Sequence, residues 1–287
     1  MTPTLVRQQL PRAGATPRVD RCARARDWAE IQERMLVPLY EAVHRRLDVG
    51  TGTRLLGLGC GSGLALLMAS SRGAAVTGVD SGTPERTALA RERLQTEAWA
   101  TRARRGGARV VEGVPEDAAR TPGDPLYNLV TAFDPIGCLA GDSEGLGELL
   151  ASATPLAERG TPVVLAGWGP PERCTTSAVL RVATKLADPL RSAGSWRPAL
   201  RDDLEEVAQR AGLKPDGSGR VACPFGYANV DNAVRGLLST GLFDAAIGAT
   251  DQAQVDKELT EALHPHRRRD GTVWMPNVFR YLIARTR

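Results

Sequence analysis

The stretch that most constrains the fold of this chain is RLLGLGCGSGLALLMASSRG, residues 54–73. A short apolar run is followed by Gly59, Gly61 and Gly63, then by an apolar stretch that Gly73 closes. That order reads as a buried strand, a tight loop and a helix. AAVTGVD, at 74–80, reads as a second buried strand ending in an acid. Together they make one βαβ unit. Glycine lets the backbone turn tightly and approach a ligand closely. The N-terminus of the following helix adds positive potential. Asp80, 21 positions after Gly59, stands where a carboxylate can accept both hydroxyls of a ribose.

The alternation continues along the chain. A charged helix is predicted over 84–105 and a strand over 108–113. A strand at 126–134, a helix at 143–157 and a strand at 161–168 follow. Next come a capped helix at 201–212 and strands at 219–228 and 277–285. Nearly continuous apolar strands alternating with helices predict a parallel sheet covered on both faces. Upstream, residues 27–48 carry helical spacing, with Ile31, Met35, Leu36, Leu39, Val43 and Leu47 near one face. Pro38 is expected to separate or kink two helical pieces. Residues 1–26 are basic, proline-containing and weakly periodic, and are expected to be disordered or loosely packed. Residues 27–287 are expected to form a single domain.

Composition narrows the partners. The formal net charge of +4 is carried almost entirely by arginine, since Lys185, Lys214 and Lys257 are the lysines. The densest basic run, Arg267–Arg268–Arg269, has no interleaved aromatics. It reads as a solvated loop rather than a nucleic-acid patch. The five cysteines are odd in number, widely spaced and without a C-x-x-C pair. Neither a disulfide framework nor a zinc site is expected, and a reducing cytoplasm fits. His44, His264 and His266 give no metal-ligand spacing. No apolar run approaches about 18 residues, so no membrane span is expected. The N-terminus lacks the apolar segment of a secretory signal.

The glycine spacing separates two cofactor classes. Dinucleotide sites favour G-x-G-x-x-G. Here the spacing is G-x-G-x-G with leucine at 64, so a pyrophosphate register cannot be built. This spacing, with Asp80, resembles motif I and the following acidic position of class I S-adenosylmethionine-dependent methyltransferases. DWAEIQERMLVPLYEAV, VTGVDSG, VVEGVPED, LVTAFD, LAGWGPPERC and DGTVWMPNVFRYLIAR are similar to successive blocks of its small-molecule branch, over roughly residues 27–287. The resemblance implies a Rossmann-like α/β fold, with a seven-stranded sheet whose last strand is antiparallel and helices on both faces. It implies S-adenosyl-L-methionine as cofactor and S-adenosyl-L-homocysteine as product. It assigns cofactor contacts to Gly59, Cys60, Gly61, Gly63, Asp80, Ser81 and Phe133.

Two positions depart from the family pattern. Gly57 stands where the family carries a motif I acid, which supports the loop and the methionine end of the cofactor. A Gly57→Asp change is therefore expected to be tolerated and to tighten binding. Val114-Pro115 stands where the family often has an acid and a free backbone N–H for the adenine amino group. Proline has no N–H. Glu116 or Asp117 is expected to substitute, and Glu116 is preferred.

In open parallel sheets ligands bind beyond the carboxyl ends of the strands. The segments 168–200 and 229–275 are expected over that edge, the second as an insertion holding two helices. With the N-terminal helices they form a helical lid over a closed pocket, which suits a small molecule better than a duplex. Trp28, Tyr40, Asp134, Trp168, Glu172, Phe225 and Tyr227 are candidates to line it. Each also has a structural explanation as a packing or capping residue. His44 reads as structural or exposed. No residue is assigned as a catalytic base, and the sequence does not reveal the oligomeric state. The expected function is methyl transfer to a small organic metabolite. The alternative is a catalytically silent fold acting as a binding or scaffolding protein.

Overall fold

The computed structural model describes residues 20–100 (the last five without side chains), 107–119, 125–137, 142–187, 200 and 203–287. The parallel part of the sheet is built from β1 (Arg54–Leu58), β2 (Ala75–Asp80), β3 (Ala108–Glu112), β4 (Leu129–Ile136) and β5 (Pro162–Trp168). The strands β6 (Lys214–Ala222) and β9 (Val278–Arg285) complete it, in the order β3-β2-β1-β4-β5-β9-β6. The last strand, β9, lies antiparallel between β5 and β6. This is the expected seven-stranded architecture. A two-stranded ribbon of β7 (Phe225–Tyr227) and β8 (Val273–Met275) is added to it. The strand expected over 219–228 is thus two. Pro224, which has no N–H to give a ladder, marks the break between β6 and β7.

Alternation along the strands supplies two cores. On one face Leu55, Val76, Leu129, Val164 and Ile283 pack with α2 (Val37–Arg46), α3 (Leu64–Ser71) and α6 (Thr176–Ala187). On the other, Leu56, Val79, Val130, Val163 and Leu282 pack with α5 (Asp142–Ala153) and α7 (Asp203–Arg210). The helix α6 is an addition to the expected elements. It packs against α9 (Asp244–Ala249) and α10 (Gln252–Leu263). Those two, with α8 (Val230–Ser239), occupy the 229–275 insertion. Asn229 and Asp251 cap α8 and α10, each accepting a backbone N–H at 2.8 Å. Among the described residues no helix is long and apolar enough to cross a membrane.

The N-terminal expectation needs correction for residues 21–26. They belong to helix α1 (Arg21–Asp27), capped by Asp20 and packed against α4 (Pro84–Ala100) and α8. Salt bridges Arg24–Asp244 and Asp27–Arg235 tie this region to the insertion. Arg24, read as part of a loose basic tail, is instead the partner of Asp244 in the insertion. Residues 1–19 lie outside the described residues. After α1 the helix does not run on regularly. Trp28–Gln32 forms a π turn and Glu33–Leu36 a 3₁₀ turn before α2 begins, with Pro38 in its first turn. Proline is tolerated there, since those N–H groups have no intrahelical acceptor.

Candidate functional site

The site begins with the backbone of the loop between β1 and α3. Gly59, Gly61 and Gly63 all have left-handed φ, of 59°, 55° and 81°. Side-chain-bearing residues rarely adopt that region. The loop is braced by Asp80 at the tip of β2. One carboxylate oxygen accepts the Gly61 N–H and the other the Gly82 N–H, each at 2.8 Å. Each oxygen keeps further lone-pair capacity.

Above this loop lies a cavity of about 410 Å³. It sits where β1 is flanked by β2 on one side and β4 on the other, the switch point of a parallel sheet. Gly59, Cys60, Gly61, Asp80, Ser81 and Phe133, all singled out by the resemblance, line it. Two others do not. Gly63 is turned away, and a Cβ there would meet the Ala90 Cβ at 2.9 Å. Its role is the left-handed turn and the close packing of α3 on α4. Glu116 is exposed on the 3₁₀ turn Pro115–Ala118 and does not reach the cavity. Its neighbour Asp117 is used locally, accepting the Val114 N–H at 2.9 Å. Gly113 is the residue of this segment that borders the cavity.

The strand β4 delivers consecutive side chains. Its pairing with β5 shifts between Ala132 and Ile136. Pro135 cannot donate to the ladder, and such irregularities re-aim side chains. Phe133, Asp134 and Pro135 consequently all line the cavity. Asp134 opens into the cavity while protein surrounds it. Burial raises its pKa, Arg86 lowers it, and Asp80 and Asp142 raise it.

The roof comes from remote segments. Trp28, Gln32, Glu33, Leu36 and Tyr40 descend from the N-terminal helices, and Thr240 and Leu242 from the insertion. Trp168, Phe225 and Phe279 form an aromatic wall, with ring centroids 4.6–6.0 Å apart. Tyr40 packs on Phe133 at 4.9 Å. Of the expected pocket residues, Trp28, Tyr40, Asp134, Trp168 and Phe225 are in place. Glu172 is exposed elsewhere. Tyr227 is buried behind the wall, its hydroxyl donating to Gln32 Oε1 at 2.9 Å. His44 is fully buried beside Phe133, not exposed. Burial and the Arg72 charge lower its pKa to about 4. Cys60 is pushed up to about 12, chiefly by burial, and is no thiolate nucleophile.

Gly57 has a structural explanation. It pairs with Gly78 of β2. Leu66 of α3 fills the dimple the two glycines leave: a Cβ at 57 would meet Leu66 Cδ2 at 2.8 Å, and one at 78 would meet Leu66 Cδ1 at 2.4 Å. An aspartate at 57 would displace a fully buried leucine. The structure therefore leads us to expect that Gly57→Asp costs stability.

Two polar residues of the site carry no motif, Glu33 and Arg86. Glu33 is 3 % exposed. It accepts from the Ser62 hydroxyl, from Arg93 Nη1 at 2.8 Å and from the Leu64 N–H at 3.3 Å. Arg93 also donates to Ser62 O and Ala29 O, both at 2.9 Å. The glycine loop and the N-terminal segment are thus locked together. Arg86 lies over the Trp28 ring, 4.1 Å from its centroid, and donates to Ser239 O at 2.5 Å. Glu33 is five residues from Trp28, about 140° round an α-helix. The π turn removes that offset, with the Glu33 N–H bonded to Trp28 O. Regular helical periodicity therefore hides the pair.

No protein-family model and no curated protein matches the sequence. Solved structures do match in fold. The S-adenosylmethionine-dependent methyltransferase from Thiobacillus denitrificans, in complex with S-adenosyl-L-homocysteine, is 17% identical with a TM-score of 0.54; the match covers 94% of this chain and 99% of that one. YjhP from E. coli is 18% identical with a TM-score of 0.53, over 92% and 99%. The [4+2]-cyclase SpnF is 14% identical with a TM-score of 0.50, over 86% and 85%. The chain thus has the Rossmann-like fold of class I methyltransferases. A cyclase on the same fold shows that the fold alone does not define a reaction.

Proposed function

We propose that this chain is an S-adenosylmethionine-dependent methyltransferase that acts on a small organic acceptor. The observation that carries the reading is the braced loop. Three left-handed glycines and a carboxylate anchored by two backbone N–H groups open onto a cavity of about 410 Å³. Asp80 is pre-positioned to accept the hydroxyls of a ribose, because the Gly61 and Gly82 N–H groups already fix its carboxylate. Gly59 and Gly61 bring backbone close to the ligand, and Phe133 and Cys60 give apolar contact. The cavity's polar residues fit a nucleoside carrying an amino acid. The bound cofactor supplies an electrophilic methyl group for in-line displacement.

The chain's own task is then orientation and exclusion of water. The aromatic wall of Trp168, Phe225 and Phe279 favours an acceptor with an apolar body. Asp134 offers that acceptor a carboxyl group, able to orient a donor or to take the proton of an O–H or N–H nucleophile. The N-terminal segment and the insertion act as the lid. Such enclosure, with apolar walls and few polar groups, is the pattern of a small-molecule site.

Calorimetric titration of ligand-stripped protein with S-adenosylmethionine and S-adenosylhomocysteine tests the reading. Saturable one-to-one binding is expected. Absence of binding to both would favour a silent fold acting as a binding or scaffolding protein.

A further inference from the structure

The cavity borders polar atoms that the described residues leave unsatisfied, beginning beside Gly61. A Cβ at Gly61 would stand 3.2 Å from Trp28 Nε1 and 3.4 Å from Glu33 Oε1. The missing side chain leaves a cradle between a donor and an acceptor. Trp28 Nε1 is buried with no hydrogen-bond partner among the described residues, and the same holds for Arg86 Nε. Glu33 Oε2 is engaged by Ser62 and Arg93, whereas Oε1 receives the long Leu64 N–H bond at 3.3 Å. Oε1 therefore keeps an open lone pair.

A buried donor without an acceptor destabilises the fold, so their convergence points to a ligand that completes them. The pattern is an anionic acceptor beside a neutral donor, with a guanidinium stacked on that donor's ring. It complements a zwitterion. An α-ammonium matches Glu33 Oε1. An α-carboxylate matches Trp28 Nε1–H and Arg86. Arg93 pairs with Glu33, so the ammonium meets a carboxylate already held in place, while the carboxylate end meets the cationic Arg86.

We propose that Glu33, Trp28 and Arg86 form the subsite that grips the amino-acid end of the cofactor, with Glu33 taking the ammonium and Trp28 with Arg86 the carboxylate. This rests on the reading of the cavity as an S-adenosylmethionine site. It also accounts for the glycine at 57. Leu66 occupies that side of the loop, and the acid reaches the loop from the N-terminal segment instead.

The test compares S-adenosylhomocysteine with 5′-methylthioadenosine, a nucleoside that lacks the amino-acid end, by calorimetry. Wild type should bind S-adenosylhomocysteine more tightly by at least about tenfold. Glu33→Gln keeps the shape and removes the charge; Trp28→Phe keeps the ring under Arg86 and removes the N–H. Each should weaken S-adenosylhomocysteine by about tenfold and leave 5′-methylthioadenosine within about twofold. Equal loss for both nucleosides, or no loss for either, would overturn the subsite while leaving the cofactor reading intact. So would a wild type that binds both equally. A wild type that binds neither would overturn the cofactor reading and the subsite together. Should Glu33→Gln fail to fold, Trp28→Phe alone decides, because that indole N–H makes no bond within the described protein.

Discussion

The glycine loop and the helical segment above it contribute to one cavity by opposite means. The loop, Gly59–Gly63, works with backbone: left-handed glycines, N–H groups and one carboxylate close in sequence. The segment Trp28–Tyr40 works with side chains that a π turn and a 3₁₀ turn aim downwards. Backbone work forces the residue type, because a left-handed φ at successive alternate positions excludes most side chains. Side-chain work leaves the residue type free and depends on an irregular helix. The first kind of site is written locally in the sequence, whereas the second emerges only in three dimensions.

The sharpest way to break the loop's half of the comparison is Asp80→Ala. It strands the Gly61 and Gly82 N–H groups and removes the ribose acceptor together. Hydrogen bonds to a charged group contribute about 1.5–3 kcal/mol each. Affinity for S-adenosylhomocysteine should fall on the order of a hundredfold or more. Near-wild-type affinity by calorimetry would remove Asp80 from the ribose assignment. Asp80→Asn should fall between the two, since its amide oxygen still accepts one N–H.

A pH experiment probes the helical half. His44 on α2 is buried, and neither ring nitrogen has a partner among the described residues. Its pKa is lowered from 6.5 to about 4 in the folded protein. Between those values the unfolded chain binds the proton and the folded chain does not. Stability therefore falls as pH drops from about 6.5 to 4, and the loss persists below. The contribution is on the order of 3 kcal/mol. His44→Leu should flatten that part of the stability–pH curve relative to wild type in denaturant titrations. Parallel curves for the two proteins would show that His44 does not titrate against burial.

The two halves also differ in how far they could be read in advance. The sheet, its antiparallel last strand and the loop with Asp80 follow from apolar runs, glycine spacing and a family resemblance carried by those same residues. Of the cavity-lining aromatics, Trp168 and Phe225 are legible as large residues at strand ends, and Trp28 and Tyr40 as aromatics of the N-terminal helices. Glu33 and Arg86 are not. Both lie in charged helical stretches where solvated side chains are the ordinary outcome; the π turn with the Ser62 and Arg93 contacts draws Glu33 inward, and the stack on Trp28 holds Arg86 at the cavity. Gly63 keeps the spacing of the loop but does not line the cavity, and its missing Cβ serves helix packing against Ala90. Leu66 was invisible as the occupant of Gly57's space, since that contact depends on how α3 settles on the sheet.

Gly57→Asp sharpens the last point. The new Cβ meets Leu66 Cδ2, and a carboxylate enters a buried site. Overpacking and desolvation should destabilise the protein by about 2 kcal/mol. Adding Leu66→Ala opens room, so the double variant should be more stable than the sum of the single changes predicts. Denaturant unfolding of the four proteins measures this. Strict additivity would mean that Leu66 does not contest the space.

The smallest expected effect is at Glu116. In the turn after β3, where the family pattern asks for an acid, neither Glu116 nor Asp117 lines the cavity. Glu116 is exposed, while Asp117 is turned onto the Val114 N–H to close its own turn. Glu116→Ala should change S-adenosylhomocysteine affinity by less than about twofold. Asp117→Ala, by contrast, releases the Val114 N–H and loosens the turn beside Gly113, which borders the cavity. It should weaken binding modestly, by about threefold to tenfold, through the backbone rather than through a contact. A large loss at Glu116 would mean that this turn swings inward when the ligand arrives. The adenine end would then join the helical segment as a part of the site assembled by side chains.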